Sequence, residues 1–446
     1  MVIPTRPHPG RDIFSDLLIV GKVMQTKTRA MFFLIIATIM LVNPAIVPGA
    51  DKKGAYYTGV YENLFAELLG KNESQVKSKL DSAFSQLFFG NDSTQRVYFP
   101  DSSDSTMAYV EDIANHDVRT EGMSYGMMIA VQMDNKNVFN RIWKWAKSYM
   151  QVKSGPHEGY FAWHCRPDGT LLDSNAASDG EQWFVMSLFF ASARWGNGDG
   201  IYNYTAEAQK ILYTMMHKED DPAHDKVTNM FNNERRLVVF VPTVSADGFT
   251  DPSYQLPHYY ELWSRWADKD NQFWCDAAST SRKLIREAAN PTTGLCPDYC
   301  NFDGTIVTFW HGGHQDFRFD AWRVAMNVAV DYEWFMADDW ESTECNRLLA
   351  FFRSEGINSY GNQYALEGKR LGNDHSTGLV AMNAVAALAS TSDDRKAFVE
   401  ALWNARVPAG LYRYYDGMLY MLAMLQVSGN FKIYDPTGKP VPACGK

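Results

Sequence analysis

The chain has 446 residues, 46% of them hydrophobic, enough for a large core in anything from one body to three average domains. A net charge of −10 argues against a nucleic-acid phosphate backbone as substrate, which needs a clustered basic surface, and suits a neutral polymer. Aromatic residues reach 14%, with 13 Trp, 23 Tyr and 26 Phe, and such a load suggests flat stacking surfaces for sugars or bases.

Residues 24–50 read as a secretory signal peptide. Lys27 and Arg29 form the charged start, residues 30–42 the apolar run, and Gly49 and Ala50 the small-residue cleavage zone. Thirteen apolar residues are too few to span a bilayer comfortably, so no membrane attachment is expected once the signal is removed. Residues 1–23 lack signal logic, which makes Met24 an alternative start to Met1. The expected organisation is an N-terminal extension and signal over 1–50 and a single domain over 51–446, in a secreted or periplasmic monomer.

Helical apolar periodicity then recurs in about a dozen segments: 75–88, 121–133, 138–149, 179–193, 206–217, 259–267, 274–289, 321–334, 344–352, 378–388, 395–403 and 417–427. Strand signals are sparse, with 237–241 and 305–309 the best candidates. Neither a Pro/Ser-rich linker nor a fixed-period repeat divides the chain, so one all-α body is the simpler reading. Helices in tandem with long aromatic-rich loops suggest paired helices in a toroid, its loop ends forming a cleft.

Three acidic stretches could carry chemistry. In Arg119-Thr120-Glu121-Gly122, Thr120 or Ser124 caps or lines a helix start and puts Glu121 in the first turn, beside small residues that admit a ligand. The bland account is a carboxylate serving the helix dipole. In Ala177-Ser178-Asp179-Gly180-Glu181, Asp179 is an N-cap, a group aimed at a sugar hydroxyl, or both, with Trp163 upstream offering a stacking face. Asp320 and Arg323 are three apart and share a helix face, where the cation favours the ionised carboxylate that a general base requires. Cutting a glycosidic bond needs one carboxyl to protonate the leaving oxygen and another to activate water or attack carbon. Spacing alone does not select that pair from 52 acidic residues.

Six cysteines, Cys165, Cys275, Cys296, Cys300, Cys345 and Cys444, are few for a framework of disulfides. Cys296 and Cys300 with His311 and His314 faintly match a zinc set; a disulfide or plain loop cysteines is the preferred reading, and neither metal nor cofactor is expected.

Together, Thr-Glu-Gly-x-Ser-Tyr-Gly-Met from Thr120, Ala-x-Asp-Gly-Glu from Ala177, Asp-Pro-Ser-Tyr from Asp251 and Asp-Ala-x-Arg-Val from Asp320 resemble glycoside hydrolase family 8. The match spans most of residues 55–430. That family of inverting enzymes with an (α/α)6 barrel includes cellulases, xylanases, chitosanases and reducing-end xylose-releasing exo-oligoxylanases. The resemblance implies Glu121 as general acid and Asp320 as general base. It further implies Asp179 as the carboxylate that binds and distorts the sugar, Tyr254 as a tyrosine holding base and water, and Trp163 as a donor-side stacking residue. Inversion would place the two carboxyls roughly 6.5–9.5 Å apart. His375 aligns with the histidine by which exo-oligoxylanases recognise the reducing-end sugar and wall off the cleft. Its flanks are Asp374 and Ser376 where the pattern is Leu-His-Pro, which alters the wall. The expected activity is release of xylose from the reducing end of xylo-oligosaccharides. An endo-acting xylanase, cellulase or chitosanase and a non-catalytic carbohydrate-binding protein stand as alternatives.

Overall fold

Side-chain caps set several helix starts. Asn72 and Gln75 form a reciprocal cap in which each side chain accepts the other's backbone N–H, at 2.9 and 3.0 Å, and helix α1 (Glu73–Phe89) runs on from it. Eleven more long helices follow: α2 (Thr120–Gln132), α3 (Lys136–Trp145), α4 (Ser178–Trp195), α5 (Tyr204–His217), α6 (Pro257–Trp266), α7 (Asn271–Ala288), α8 (Trp322–Phe335), α9 (Asp339–Glu355), α10 (Thr377–Ala386), α11 (Arg395–Asn404) and α12 (Arg413–Val427). Asn135 and Asn203 cap α3 and α5 by accepting the N–H groups of Val138 and Ala206. The computed structural model describes residues 53–309 and 312–438, and the signal-like segment, Cys444 and His311 lie outside the described residues.

Burial separates the helices into two classes. Even-numbered helices are buried almost all round, as in the Gly417–Val427 stretch of α12, while odd-numbered ones bury one stripe, as in Val138, Phe139, Ile142, Trp143 and Trp145 of α3. Even helices pack closely from α2 to α4 and from α6 through α8 and α10 to α12, and α12 returns to pack on α2. The α4–α6 step is fixed by Tyr260 donating to Gln182 at 2.6 Å and by Trp263 donating to Met186 sulfur at 3.0 Å. Six inner and six outer helices therefore form the (α/α)6 barrel expected from the sequence. Buried Arg282 ties three wall helices, binding Asp331 of α8 at 2.7 Å and Glu261 of α6 at 3.0 Å.

All twelve anticipated helical segments are present, each within a few residues of its expected limits. The strands differ from expectation. A five-stranded antiparallel sheet, β1 (Tyr98–Pro100), β2 (Ala108–Asp112), β3 (Asp117–Arg119), β4 (His164–Cys165) and β5 (Leu171–Asp173), was not signalled by the sequence. Only Leu237–Val238 of the 237–241 candidate forms a strand, paired with Phe231–Asn232, and 305–309 contributes a single bridge, Ile306 to Cys300. Among the described residues no helix is long and apolar enough to cross a membrane.

Candidate active site

The inner helices bring their N-terminal ends to one locus, and Arg323 in the first turn of α8 is its centre. Its side chain is 2% exposed and contacts four carboxylates: Nη1 meets Glu121 Oε2 at 2.8 Å and Asp179 Oδ2 at 3.1 Å, and Nη2 meets Asp320 Oδ1 at 2.8 Å and Asp251 Oδ2 at 4.0 Å. Nη1 also donates to the Tyr125 hydroxyl and Nη2 to Ser253 Oγ, at 2.9 and 3.0 Å. The Tyr254 ring lies 5.7 Å from the guanidinium carbon. Glu121, Asp179, Tyr254, Asp320 and Arg323 thus converge although they span 203 positions of sequence.

One guanidinium cannot neutralise four carboxylates, so burial decides which of them hold protons. Burial pushes Glu121 up to about 7, outweighing the opposing pull of Arg323, and the Asp320 and Asp179 charges push the same way. For the same first reason Asp179 rises to about 6 and Asp251 well above the carboxylate range. The second Glu121 oxygen, Oε1, accepts from the Tyr414 hydroxyl at 2.9 Å. That contact depends on Gly122, where a Cβ would lie 2.5 Å from Tyr414 Cε2. Gly180 plays a similar part, since a Cβ there would lie 2.5 Å from the Thr120 Cβ and push α4 away from the Glu121 turn.

Asp320 sits in a 3-10 turn, Phe319–Ala321, just before α8, and its side chain is 29% exposed while that of Glu121 is 18% exposed. Each carboxylate holds a different terminal nitrogen of Arg323 at 2.8 Å, and those nitrogens lie about 2.3 Å apart in the planar group, so the bonded oxygens are separated by at most about 8 Å. A ceiling of about 8 Å leaves room for the roughly 6.5–9.5 Å spacing that admits a water and equally for the roughly 5–5.5 Å spacing of a directly attacking carboxylate. The turn is held by residues that sequence reasoning missed. Ala321 N–H donates to Asp298 Oδ1 at 3.2 Å, Asp298 Oδ2 meets His314 Nδ1 at 2.9 Å, and Tyr415 hydroxyl donates to the Phe319 carbonyl at 2.9 Å.

Several local expectations change. The N-cap of α4 is Ala177 and Asp179 lies inside the first turn without a capping bond, because its carboxylate turns to Arg323. Likewise α2 starts from Arg119 with no side-chain cap from Thr120, and Ser124 Oγ donates to the Glu121 carbonyl at 3.0 Å. Trp163 lies at the sheet beside this turn: its carbonyl accepts from Thr120 N–H at 3.1 Å, its Nε1 donates to Asp173 at 3.0 Å, and its ring stacks on His164 with Arg119 over it. His375 is exposed, in the loop between Gly372 and α10, with Nδ1 2.9 Å from the Tyr360 carbonyl. Cys165, Cys275, Cys296, Cys300 and Cys345 are unpaired, His314 serves Asp298, and the described residues contain no group of three or more metal-ligating side chains.

Comparison with known proteins gives exo-oligoxylanases at 35–45% identity and endoglucanases at 25–32%. The sequence profile of glycosyl hydrolases family 8 matches residues 105–429. The reducing-end xylose-releasing exo-oligoxylanase Rex8A of Paenibacillus barcinonensis is 45% identical over 386 residues, covering 86% of this chain and 99% of that protein. Its xylose complex has a TM-score of 0.81 at 45% identity and covers 86% of this chain and 100% of that one. A family 8 xylanase of Teredinibacter turnerae, solved as a catalytic mutant with xylohexaose, is similar to the same degree, with a TM-score of 0.82, 45% identity and the same coverage.

Proposed function

The chain belongs to glycosyl hydrolases family 8 and is a glycoside hydrolase, and from that premise we propose that it hydrolyses xylo-oligosaccharides with inversion, releasing xylose from the reducing end. Glu121 is the general acid. With its carboxyl pushed up to about 7 it still holds a proton in a large share of molecules near neutral pH, and gives it to the glycosidic oxygen as the C–O bond breaks. Asp320, open to the cleft, takes a proton from the water whose oxygen bonds the anomeric carbon from the opposite face. Glu121 is left as a carboxylate between Arg323 and the Tyr414 hydroxyl, and before the next turnover it regains a proton from solvent while Asp320 gives its proton up to solvent. The observation that carries this reading is the Arg323 bridge, which holds acid and base on one rigid fork.

Asp179, on the same guanidinium, binds a hydroxyl of the sugar at the cleavage point, with Tyr254 beside the water and Trp163 stacking on the donor side. His375 supplies the reducing-end preference. The Tyr360 carbonyl can only accept, so a neutral His375 carries its proton on Nδ1 and keeps Nε2 as an acceptor for the anomeric hydroxyl. A substrate lacking that hydroxyl leaves the site unpaired and is penalised. We take the chain to act as a monomer, and the charged and apolar pattern of residues 24–50 supports export.

Internal cleavage of xylan is the second reading, favoured by the likeness to the Teredinibacter xylanase and by the Asp374 and Ser376 flanks of His375. Hydrolysis of xylotriose and of its reduced alcohol separates the two. Strong preference for the free reducing end is expected; equal rates on both, with random shortening of polymeric xylan, would establish the internal mode instead.

A further inference from the structure

The loop carrying His375 is fastened from another helix. Ser376 is the N-cap residue of α10, yet its side chain makes no capping bond to that helix and instead accepts from Asn362 Nδ2 at 3.0 Å. Helix-start N–H groups still need acceptors. Asp416, in the first turn of α12, provides them: Gly378 N–H donates to its Oδ1 at 3.1 Å, and Thr377 N–H binds the same carboxylate. This approach requires glycine, since a Cβ at 378 would lie 2.7 Å from Asp416 Oδ1 and 3.3 Å from Trp322 Cζ3. A carboxylate against the N-terminal amides also answers the helix dipole, although burial raises Asp416 to about 6.

The neighbours of Asp416 give this contact its meaning. Tyr414 donates to Glu121 Oε1 at 2.9 Å, and Tyr415 donates at 2.9 Å to the carbonyl of Phe319, the residue before Asp320. Three consecutive residues in one helical turn thus hold the acid, the turn bearing the base, and the helix whose leading loop bears His375. We propose that Asp416 is a positioning residue for reducing-end selection: by capping α10 from α12 it fixes the His375 loop at a set distance from Glu121 and Asp320. The proposal rests on His375 reading the anomeric hydroxyl. Freed from Asp416, the loop can shift, and the penalty against a substrate without that hydroxyl weakens.

The test compares kcat/KM on xylotetraose and on its reduced alcohol for the wild type, His375→Ala, Asp416→Ala and Asp416→Asn, with amide hydrogen exchange over residues 372–380. Asp416→Ala is expected to cut the preference for the free end about tenfold, the size of one charged hydrogen bond, and to speed exchange at Thr377 and Gly378. Asp416→Asn keeps an acceptor oxygen and is expected to recover part of the preference, and it replaces the alanine variant should that variant not fold. A preference unchanged in a folded Asp416 variant, with both substrates slowed equally, would overturn the proposal. The underlying reading fails separately: if His375→Ala leaves the preference intact, His375 is not the selector, and the Asp416 proposal falls with it whatever the exchange data show.

Discussion

Glu121→Gln should remove the activity and make the protein's stability fall less as pH rises. Burial raises the Glu121 carboxyl from 4.5 to about 7, so the folded state binds this proton more tightly than the unfolded chain. The sign follows from linkage: the contribution is fully present below pH 4.5 and is lost as pH rises through 7. At about 1.4 kcal/mol per unit, folding loses about 3 kcal/mol across that window. Glutamine is neutral throughout and similar in shape, so its variant lacks this term. The absolute offset between the two proteins depends on how the amide repacks beside Arg323 and Tyr414, but the change of that offset with pH does not. Urea unfolding at pH 5 and pH 8.5 measures it. The variant should gain about 2.5 kcal/mol on the wild type between the two conditions, and parallel stability curves would refute the buried, proton-holding acid.

Other perturbations probe the same centre. Arg323→Met strands Glu121, Asp179 and Asp320 without their shared cation; calorimetry should show a loss of about 3–5 kcal/mol, and turnover should fall at least about a hundredfold. Arg323→Lys should not rescue turnover, because an ammonium cannot hold two carboxylates on a planar fork. Gly122→Ala should drive Tyr414 off Glu121 at a cost of about 1–3 kcal/mol. Because the Tyr414 hydroxyl favours the Glu121 carboxylate, its loss should move the alkaline limb of kcat/KM upward from the wild-type value near 7, and an unmoved limb would show that the contact does not matter.

The barrel was legible in the sequence because helix periodicity is local. Rows such as Val138, Phe139, Ile142 and Trp143 name both the helix and its buried stripe. The sheet was hidden because its strands have two to five residues, too short for alternation to register, and their pairing joins segments as distant as Val118 and Cys165. Asp320 and Arg323 could be paired from a three-residue spacing, whereas Tyr414 reaches Glu121 across 293 positions and no local pattern announces it. Asp179 misled for a related reason: an acidic residue at a helix start satisfies the capping rule, but a buried guanidinium from α8 outbids the backbone amides. Asp298 and His314 sit in the long loop before α8, 16 positions apart, and no local spacing announces their bonds to each other and to Ala321.

The stereochemistry of the first product tests the Glu121 and Asp320 assignment most directly. Proton NMR during the first minutes of xylotetraose hydrolysis resolves the anomer of the new reducing end before it equilibrates in water. A water held between Asp320 and the anomeric carbon of a β-linked chain predicts the α-anomer first. The β-anomer first would mean a carboxylate bonding directly to carbon, and would contradict an acid and base spaced across Arg323 to admit water.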